Sequence, residues 1–156
     1  MRNFILSLPS LNSYCNCLKL CTKVEIEHVY PKSLLRAKLT SERFSVANRD
    51  PHNLFPCCSY LNRKKADSLL GKNYDAGDVN GILARACLYM DDSYELQTER
   101  ALVQKWKEFS ELYPPYEFEY TRNAIIKRYN GSWNKFIDWD IKLKLLTDWE
   151  NLRQRF

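Results

Sequence analysis

The sequence predicts an α+β fold, a mostly helical single domain around a small unit of two strands and one helix. Two short apolar segments, Lys23 to Tyr30 with period-two alternation and His52 to Pro56, precede a helix that begins near Ser59. From about residue 78 onward, apolar residues recur at helical spacing. The chain has 156 residues, 45% of them apolar, which is enough to bury one core.

The first half of the chain, about residues 22 to 71, is expected to hold the order strand, loop, strand, helix. Pro31 ends the first strand, because proline cannot continue a strand's hydrogen bonding. A polar, basic stretch follows, with a short helix predicted around Leu34 to Leu39. The helix that begins near Ser59 is expected to continue until Gly71.

The second half, about residues 78 to 156, is predicted to be helical. No linker separates it from the first half, so residues 1–156 are expected to form one domain. Asp78 or Asn80 is predicted to cap the first of these helices, and Thr98 the second, which Pro114 and Pro115 end. The remaining helices are predicted at Phe118 to Tyr129 and Asp138 to Arg153, with a turn at Gly131.

The net charge of +5 favours a polyanionic partner such as nucleic acid, although an ordinary basic surface explains it equally well. No stretch of 18 apolar residues is present, so no membrane span is expected. The segment Met1 to Leu11 is too short and too interrupted for a good secretory signal. An intracellular location is therefore expected, with an exported, processed form as the alternative.

Six cysteines lie at positions 15, 17, 21, 57, 58 and 87. An even number is compatible with three disulfides in an exported protein. Without a leader, reduced thiols are the expectation. Cys57 and Cys58 are adjacent, which makes a bond between the two unfavourable.

The residues that could carry chemistry surround one of the chain's two histidines. Hydrolysis of a phosphodiester needs a base near neutral pH, a hard divalent cation bound by oxygen atoms, and cationic side chains for the phosphates. His28 can supply the base, and the oxygens of Glu27 and Asn62 can hold the cation. The basic residues that follow Asn62 are suited to phosphate, namely Arg63, Lys64 and Lys65.

One constraint applies to this arrangement. Successive side chains of a strand point to opposite faces of the sheet. Glu27 and His28 can therefore share a site only if the end of the strand twists or bends, for example at Pro31.

Three motifs in the first half resemble the active-site core of the endonuclease I family, whose members are non-specific nucleases with a ββα-metal (HNH-like, His-Me finger) site. They are Glu27-His28-Val29-Tyr30-Pro31-Lys32-Ser33, then Asp50-Pro51-His52-Asn53-Leu54-Phe55-Pro56, then Asn62. Later segments extend the resemblance over roughly Val24 to Asp138. These are Gly81-Ile82-Leu83-Ala84-Arg85, Tyr89-Met90, Trp106, Glu119, Arg122-Asn123, Ile126, Asn130-Gly131 and Asn134 through Asp138.

The resemblance implies roles for individual residues. It makes His28 the general base, Glu27 and Asn62 the direct ligands of a divalent cation, with Mg²⁺ expected, and His52 and Asn53 supports of the site. The implied substrate is DNA, with RNA as an extension, cleaved without sequence specificity. We expect the products to carry 5′-phosphate ends.

The chain also departs from the family pattern. Asn48 stands where the family has an acidic residue, and Lys65 stands where it has an arginine, a more bidentate phosphate ligand. Trp133 and Lys135 replace residues of the C-terminal signature. These differences concern phosphate binding and leave the triplet Glu27, His28 and Asn62 intact.

Two other functions are compatible with parts of the sequence. In an HNH endonuclease with a structural zinc, the metal would be held by Cys17 and Cys21 (or Cys15 and Cys17) together with Cys57 and Cys58, although the spacing departs from paired C-x₂-C motifs. Otherwise Cys57, Cys58 and Cys87 are small buried hydrophobes. A non-catalytic nucleic-acid-binding module would need the basic residues but not a histidine beside a carboxylate. A general nuclease retained in its cell would suit a virus or a mobile element.

Overall fold

The computed structural model describes residues 1–9 and 23–137 of the chain. It confirms the α+β class, with one small two-stranded sheet among helices. The strands are β1 (Val24–His28) and β2 (Leu54–Cys58). The helices are α1 (Arg2–Ser7), α2 (Lys32–Lys38), α3 (Ser41–Ala47), α4 (Ser59–Lys65), α5 (Asn80–Tyr94), α6 (Arg100–Leu112) and α7 (Glu117–Asn130).

The two strands pair antiparallel, with Val24 opposite Cys58 and His28 opposite Leu54. The predicted order of strand, loop, strand and helix is therefore confirmed. The second strand begins two residues later than predicted. His52 lies in a 3-10 turn, Pro51–Asn53, rather than in the strand, because the Asp50 side chain accepts a hydrogen bond from the His52 backbone N–H and starts a turn.

The loop between the strands holds two helices rather than the single one predicted. The second, α3, begins after Thr40, whose hydroxyl accepts a hydrogen bond from the Arg43 backbone N–H. This N-cap signal was present in the sequence.

Helix α4 ends at Lys65, six residues before the predicted end at Gly71. Ala66 adopts φ 46°, a left-handed conformation that stops the helix. The segment that follows is held as a loop against α6, where the Trp106 indole donates to the Leu70 carbonyl and the Lys105 ammonium to the Gly71 carbonyl. These tertiary contacts override the helical pattern of the local sequence.

The predicted caps of α5 and α6 were wrong. Asp78 lies in a 3-10 turn that precedes α5, and the Asn80 side chain accepts from the Ala76 N–H before the helix begins. Glu99 is the N-cap residue of α6. The backbone N–H of Thr98 instead donates to the Asp91 carboxylate.

The helices of the second half are otherwise confirmed where the structure describes them. Helix α6 ends before Pro114, and Gly131, at φ 81°, ends α7 in the left-handed conformation that glycine tolerates. The predicted helix Asp138 to Arg153 lies outside the described residues. In the described part of the chain, no helix combines the length and apolarity that crossing a bilayer requires.

One hydrophobic core joins the two halves. Helix α5 is buried from Asn80 through Met90 and packs along α6. Its side chains share a cluster with those of the first half; the cluster includes Tyr30, Leu35, Phe55, Leu83, Met90 and Trp106.

The sulfur chemistry differs from the expectation of reduced thiols. Cys58 is disulfide-bonded, whereas Cys57 and Cys87 are free and buried. Burial raises the pKa of Cys57 to about 11 and that of Cys87 to about 12, which favours the neutral thiols. Cys57 and Cys87 are thus small, buried, apolar residues.

A buried ion pair fastens α7 to α5. The Arg85 guanidinium donates to both oxygens of Glu119, at 2.8 and 2.7 Å, and to the Tyr113 carbonyl at 2.8 Å. Gly81 makes this approach possible, because a β-carbon there would lie 2.3 Å from the Tyr113 carbonyl oxygen. Helices α5, α6 and α7 therefore meet around one guanidinium.

We expect Glu119→Ala to lower the free energy of unfolding by about 3–5 kcal/mol, because it leaves the buried Arg85 charge uncompensated. Asp92→Ala is the matched control, since Asp92 pairs with Lys135 on the surface, and should cost less than about 1 kcal/mol. Urea denaturation of both variants measures the difference. Equal losses would contradict the assignment.

Candidate active site

The end of β1, the start of α2 and helix α4 enclose a cleft of about 380 Å³. Glu27, His28 and Asn62, the three residues predicted to carry the chemistry, all line it. The remaining lining residues are Ile26, Pro31, Lys32, Arg63, Ala66 and Asp67. Two strands and the helix after them thus bring these groups to one place on the surface.

Glu27 and His28 reach the same cleft because β1 ends at His28 and the chain bends directly after it. His28 is the last residue of β1, and the chain bends at Val29 and Tyr30 before Pro31. Asn53 holds this bend: its side-chain oxygen accepts from the Tyr30 N–H at 2.6 Å, and its side-chain nitrogen donates to the Tyr30 carbonyl at 3.1 Å. Asn53 is fully buried and lies outside the cleft, so its contribution is to position the strand end.

The His28 ring is oriented by a backbone group. Its Nε2 lies 3.0 Å from the Asn48 carbonyl oxygen. A carbonyl can only accept, so Nε2 carries the proton and Nδ1 keeps the lone pair in the neutral ring. Burial lowers the pKa of His28 below its ordinary 6.5, more than the Asn48 hydrogen bond raises it. The ring is therefore a neutral base at pH 7.

Glu27 is paired with a cation inside the protein. Its Oε1 lies 2.5 Å from the Lys65 ammonium, and both side chains are buried. Lys65 also donates to the His28 carbonyl at 3.2 Å. Burial raises the pKa of Glu27, and the charge of Lys65 opposes that rise. With 2% of its surface exposed, Lys65 contacts the Glu27 carboxylate, which favours a supporting role over the phosphate-binding role predicted for it.

Asn62 is oriented by a carboxylate that the sequence analysis missed. Its side-chain nitrogen donates to Glu25 Oε2 at 3.1 Å, which leaves its Oδ1 to act as a ligand. This hydrogen bond is also the main reason that the pKa of Glu25 is lowered. Glu25 precedes Glu27 by two residues on β1, so the period-two pattern could have placed both on one face.

Two more charged residues of the cleft were missed. Asp67 follows the end of α4, and its carboxylate acts to raise the pKa of Glu27. Lys32, the first residue of α2, is exposed at the rim. Of the predicted phosphate ligands, Arg63 lines the cleft and Lys64 lies exposed outside it.

His52 lies away from the cleft. Its ring packs on Tyr89 at a centroid distance of 4.3 Å, and its Nε2 has no hydrogen-bond partner among the described residues. Burial lowers its pKa to about 4. The neighbouring Asp50 accepts hydrogen bonds from the hydroxyls of Tyr89 and Tyr94, at 3.1 and 2.7 Å. His52 therefore packs within the fold and does not line the cleft.

The oxygen atoms of the cleft suit a hard divalent cation. Glu27 offers a carboxylate and Asn62 an amide oxygen. Among residues 1–9 and 23–137, no group of three His, Cys, Asp or Glu side chains could hold a metal ion. A cation here would need the Asn62 amide together with water molecules, which is the way Mg²⁺ is commonly bound.

Comparison with known proteins relates the chain to a nuclease. The chain is similar to an extracellular deoxyribonuclease of Aeromonas hydrophila, with 27% identity over 154 aligned positions that cover 75% of this chain and 66% of the relative. The chain thus spans just under two thirds of the relative's length. No protein-family model matches the chain. The similarity points to a nuclease, and it is too distant to place the chain in a family.

We expect Lys65→Met to lower the free energy of unfolding by about 3–5 kcal/mol at pH 8, because the Glu27 carboxylate would be buried without a partner. Without the ammonium the pKa of Glu27 rises further, so folding takes up a proton and the loss should shrink toward pH 5.

Lys64→Met is the matched control for this variant. Lys64 is the neighbouring lysine of α4 and is exposed, so its loss should cost no more than about 0.5 kcal/mol at either pH. Chemical denaturation at pH 5 and pH 8 measures the loss of unfolding free energy of each variant relative to the wild type. A Lys65→Met deficit that does not depend on pH would contradict the pairing.

Proposed function

We propose that this chain is a metal-dependent endonuclease that hydrolyses phosphodiester bonds in DNA, of the ββα-metal type that its motifs resemble. The observation that carries the proposal is the cleft itself. It combines a neutral histidine of fixed tautomer, His28, with the hard oxygen ligands of Glu27 and Asn62. The similarity to a deoxyribonuclease supports the same reaction and substrate.

His28 is the general base of this proposal. Its Nδ1 takes a proton from a water molecule as the water attacks the phosphorus atom. The Asn48 carbonyl stabilises the imidazolium that forms, because it accepts a hydrogen bond from Nε2. Base catalysis of this kind contributes roughly 10²–10⁴-fold to the rate.

Glu27 and Asn62 would hold the divalent cation, with Mg²⁺ the expected ion. When bound, the cation would neutralise charge on the phosphate and on the leaving 3′ oxygen, which is consistent with 5′-phosphate products. Lys65 fixes the Glu27 carboxylate, and Glu25 fixes the Asn62 amide, so both ligands are oriented in advance.

Phosphates next to the scissile bond would be held by Arg63 and Lys32, the cationic side chains of the cleft. Such contacts carry no sequence information, so cleavage should be non-specific. The same contacts would accept RNA.

The proposed location follows from the disulfide at Cys58. Disulfides persist in oxidising compartments, which favours export over the intracellular location expected from the N-terminal segment. The word "extracellular" in the relative's name agrees with export.

The two alternative functions are less well supported. A structural zinc would need thiolates, but Cys58 is disulfide-bonded and the Cys57 thiol has a pKa raised to about 11 by burial. A purely binding module gives no reason for a half-buried, neutral histidine beside a buried carboxylate.

We expect His28→Ala to reduce plasmid cleavage by roughly 10²–10⁴-fold while DNA binding is retained. His52→Phe is the control, because it removes the other histidine and keeps an aromatic ring against Tyr89; it should cleave normally. The rate of plasmid digestion is measured for the wild type and both variants, once with Mg²⁺ and once with a chelator. Near-normal cleavage by His28→Ala, or chelator-resistant cleavage by the wild type, would overturn the proposal.

The pH profile gives an independent test. The pKa of His28 lies below 6.5 and that of Glu27 above 4.5, and both groups act in their deprotonated forms. Cleavage at saturating Mg²⁺ should therefore reach half of its maximal rate below pH 6.5 and level off at higher pH. Initial rates on both sides of pH 6.5 measure it. A half-maximal rate above pH 7 is the contrary result.

A further inference from the structure

Two further depressions continue the cleft along the surface. The second has a volume of about 320 Å³ and shares Asp67 with the cleft. The third has a volume of about 220 Å³ and shares Lys72, Glu99 and Leu102 with the second. Together the second and third form one groove that begins at the proposed active site. We name it the lysine groove after Lys38, Lys72 and Lys105, which line it.

Two of the three lysines of the groove are held by neutral carbonyl groups. The Lys38 ammonium donates to the Leu96 carbonyl at 2.7 Å, and the Lys105 ammonium to the Gly71 carbonyl at 3.0 Å. These carbonyls are neutral, so they orient the two cations without cancelling their charge. Neither lysine has an ion-pair partner in the described part of the chain.

The third lysine is held only weakly. Lys72 lies 3.5 Å from Glu99, with 61% and 75% of the two side chains exposed. An exposed pair at this distance contributes about 0–1 kcal/mol, so a phosphate can displace the carboxylate. Lys72 is therefore available to an anionic ligand.

The carboxylates of this surface are unevenly distributed. Asp67 lies at the junction of cleft and groove, near Glu27, where the proposed metal cation would offset its charge. Beyond that junction, Glu99 lines both depressions, and Asp75 interacts electrostatically with Lys105. The three lysines that line the groove thus exceed its two lining carboxylates, Asp67 and Glu99, by one charge.

The floor of the groove is apolar. Tyr30, Leu34, Leu69 and Leu102 line it beneath the lysines. A chain of sugars and phosphates presents apolar and anionic groups in alternation, which matches an apolar floor edged by ammonium groups.

We propose that the lysine groove binds the phosphate backbone of a DNA strand that flanks the scissile phosphate. The proposal rests on the proposed nuclease function and adds to it a defined path for the substrate. It accounts for how a shallow cleft could hold a long polymer, because each neutralised phosphate adds affinity through counterion release.

The test compares Lys72→Gln/Lys105→Gln with Lys107→Gln/Arg128→Gln. Both double variants lower the net charge by two, and glutamine keeps much of the alkyl stem. Lys107 on α6 and Arg128 on α7 are exposed and lie outside the groove. The dissociation constant for duplex DNA is measured from 50 to 200 mM salt, with Ca²⁺ in place of Mg²⁺, on the full chain.

We expect the groove variant to lose about 2 units of the slope of log affinity against log salt, since each phosphate contact contributes roughly 0.9. Its affinity deficit relative to wild type should therefore shrink about tenfold across that range. The control variant should keep the wild-type slope. Cleavage of long DNA should show a raised KM in the groove variant, and cleavage of a short oligonucleotide should not change.

Equal slopes in the two variants would overturn the proposal, whatever the cleavage results. A wild-type protein that binds DNA but never cleaves it would refute the nuclease function, and the slopes would still decide the groove. The two failures are thus separate. Melting curves of both variants measure whether the fold is intact, because the Lys105 ammonium also donates to the Gly71 carbonyl.

Discussion

A single ammonium group, that of Lys65, joins the helix of the candidate site to its strand. It contacts the Glu27 carboxylate on β1 and the carbonyl of His28, from a position that solvent barely reaches. Removing either charge would leave the other buried alone, at a cost of several kcal/mol. This contact fixes α4 on β1. Asn62, three residues earlier on the same helical face, is thereby turned toward the strand and reaches Glu25.

Burial shifts the pKa values of His28 and Glu27 in opposite directions, although the physical cause is the same. It lowers the pKa of His28 and raises that of Glu27, since desolvation favours the neutral form of each. A neutral imidazole is what a base requires. A neutral carboxyl is the wrong form for a metal ligand, and Lys65 opposes it. The site thus combines a dry surrounding for the histidine with a local cation for the glutamate.

Much of the site could be predicted from sequence because its side chains lie in short motifs. Glu27 and His28 end a strand of clear alternation, and Asn62 lies in the helix that follows the second strand. The group that orients His28 could not be found this way, since the Asn48 carbonyl is a backbone atom and every residue has one. His52 gave the same type of signal as His28, and only tertiary packing separates their environments.

The fold was predictable to a similar extent, and the predictions that were wrong failed for similar reasons. Alternation and helical spacing located both strands and the helices α4 to α7. The early end of α4 depends on Ala66, a residue that favours helices, in a conformation imposed by the contacts of the next segment with Trp106 and Lys105. The disulfide at Cys58 depends on proximity in space, which spacing along the chain does not reveal.

The hydrogen bonds of Asp50 connect the helical half of the chain to the candidate site. Two tyrosine hydroxyls from α5, those of Tyr89 and Tyr94, converge on this one carboxylate. Asn48 lies two residues earlier, so the carbonyl that sets the tautomer of His28 belongs to a segment anchored on α5. Under the proposed mechanism, helix α5 would therefore act on the base indirectly, because a change in its packing would alter the tilt of the His28 imidazole.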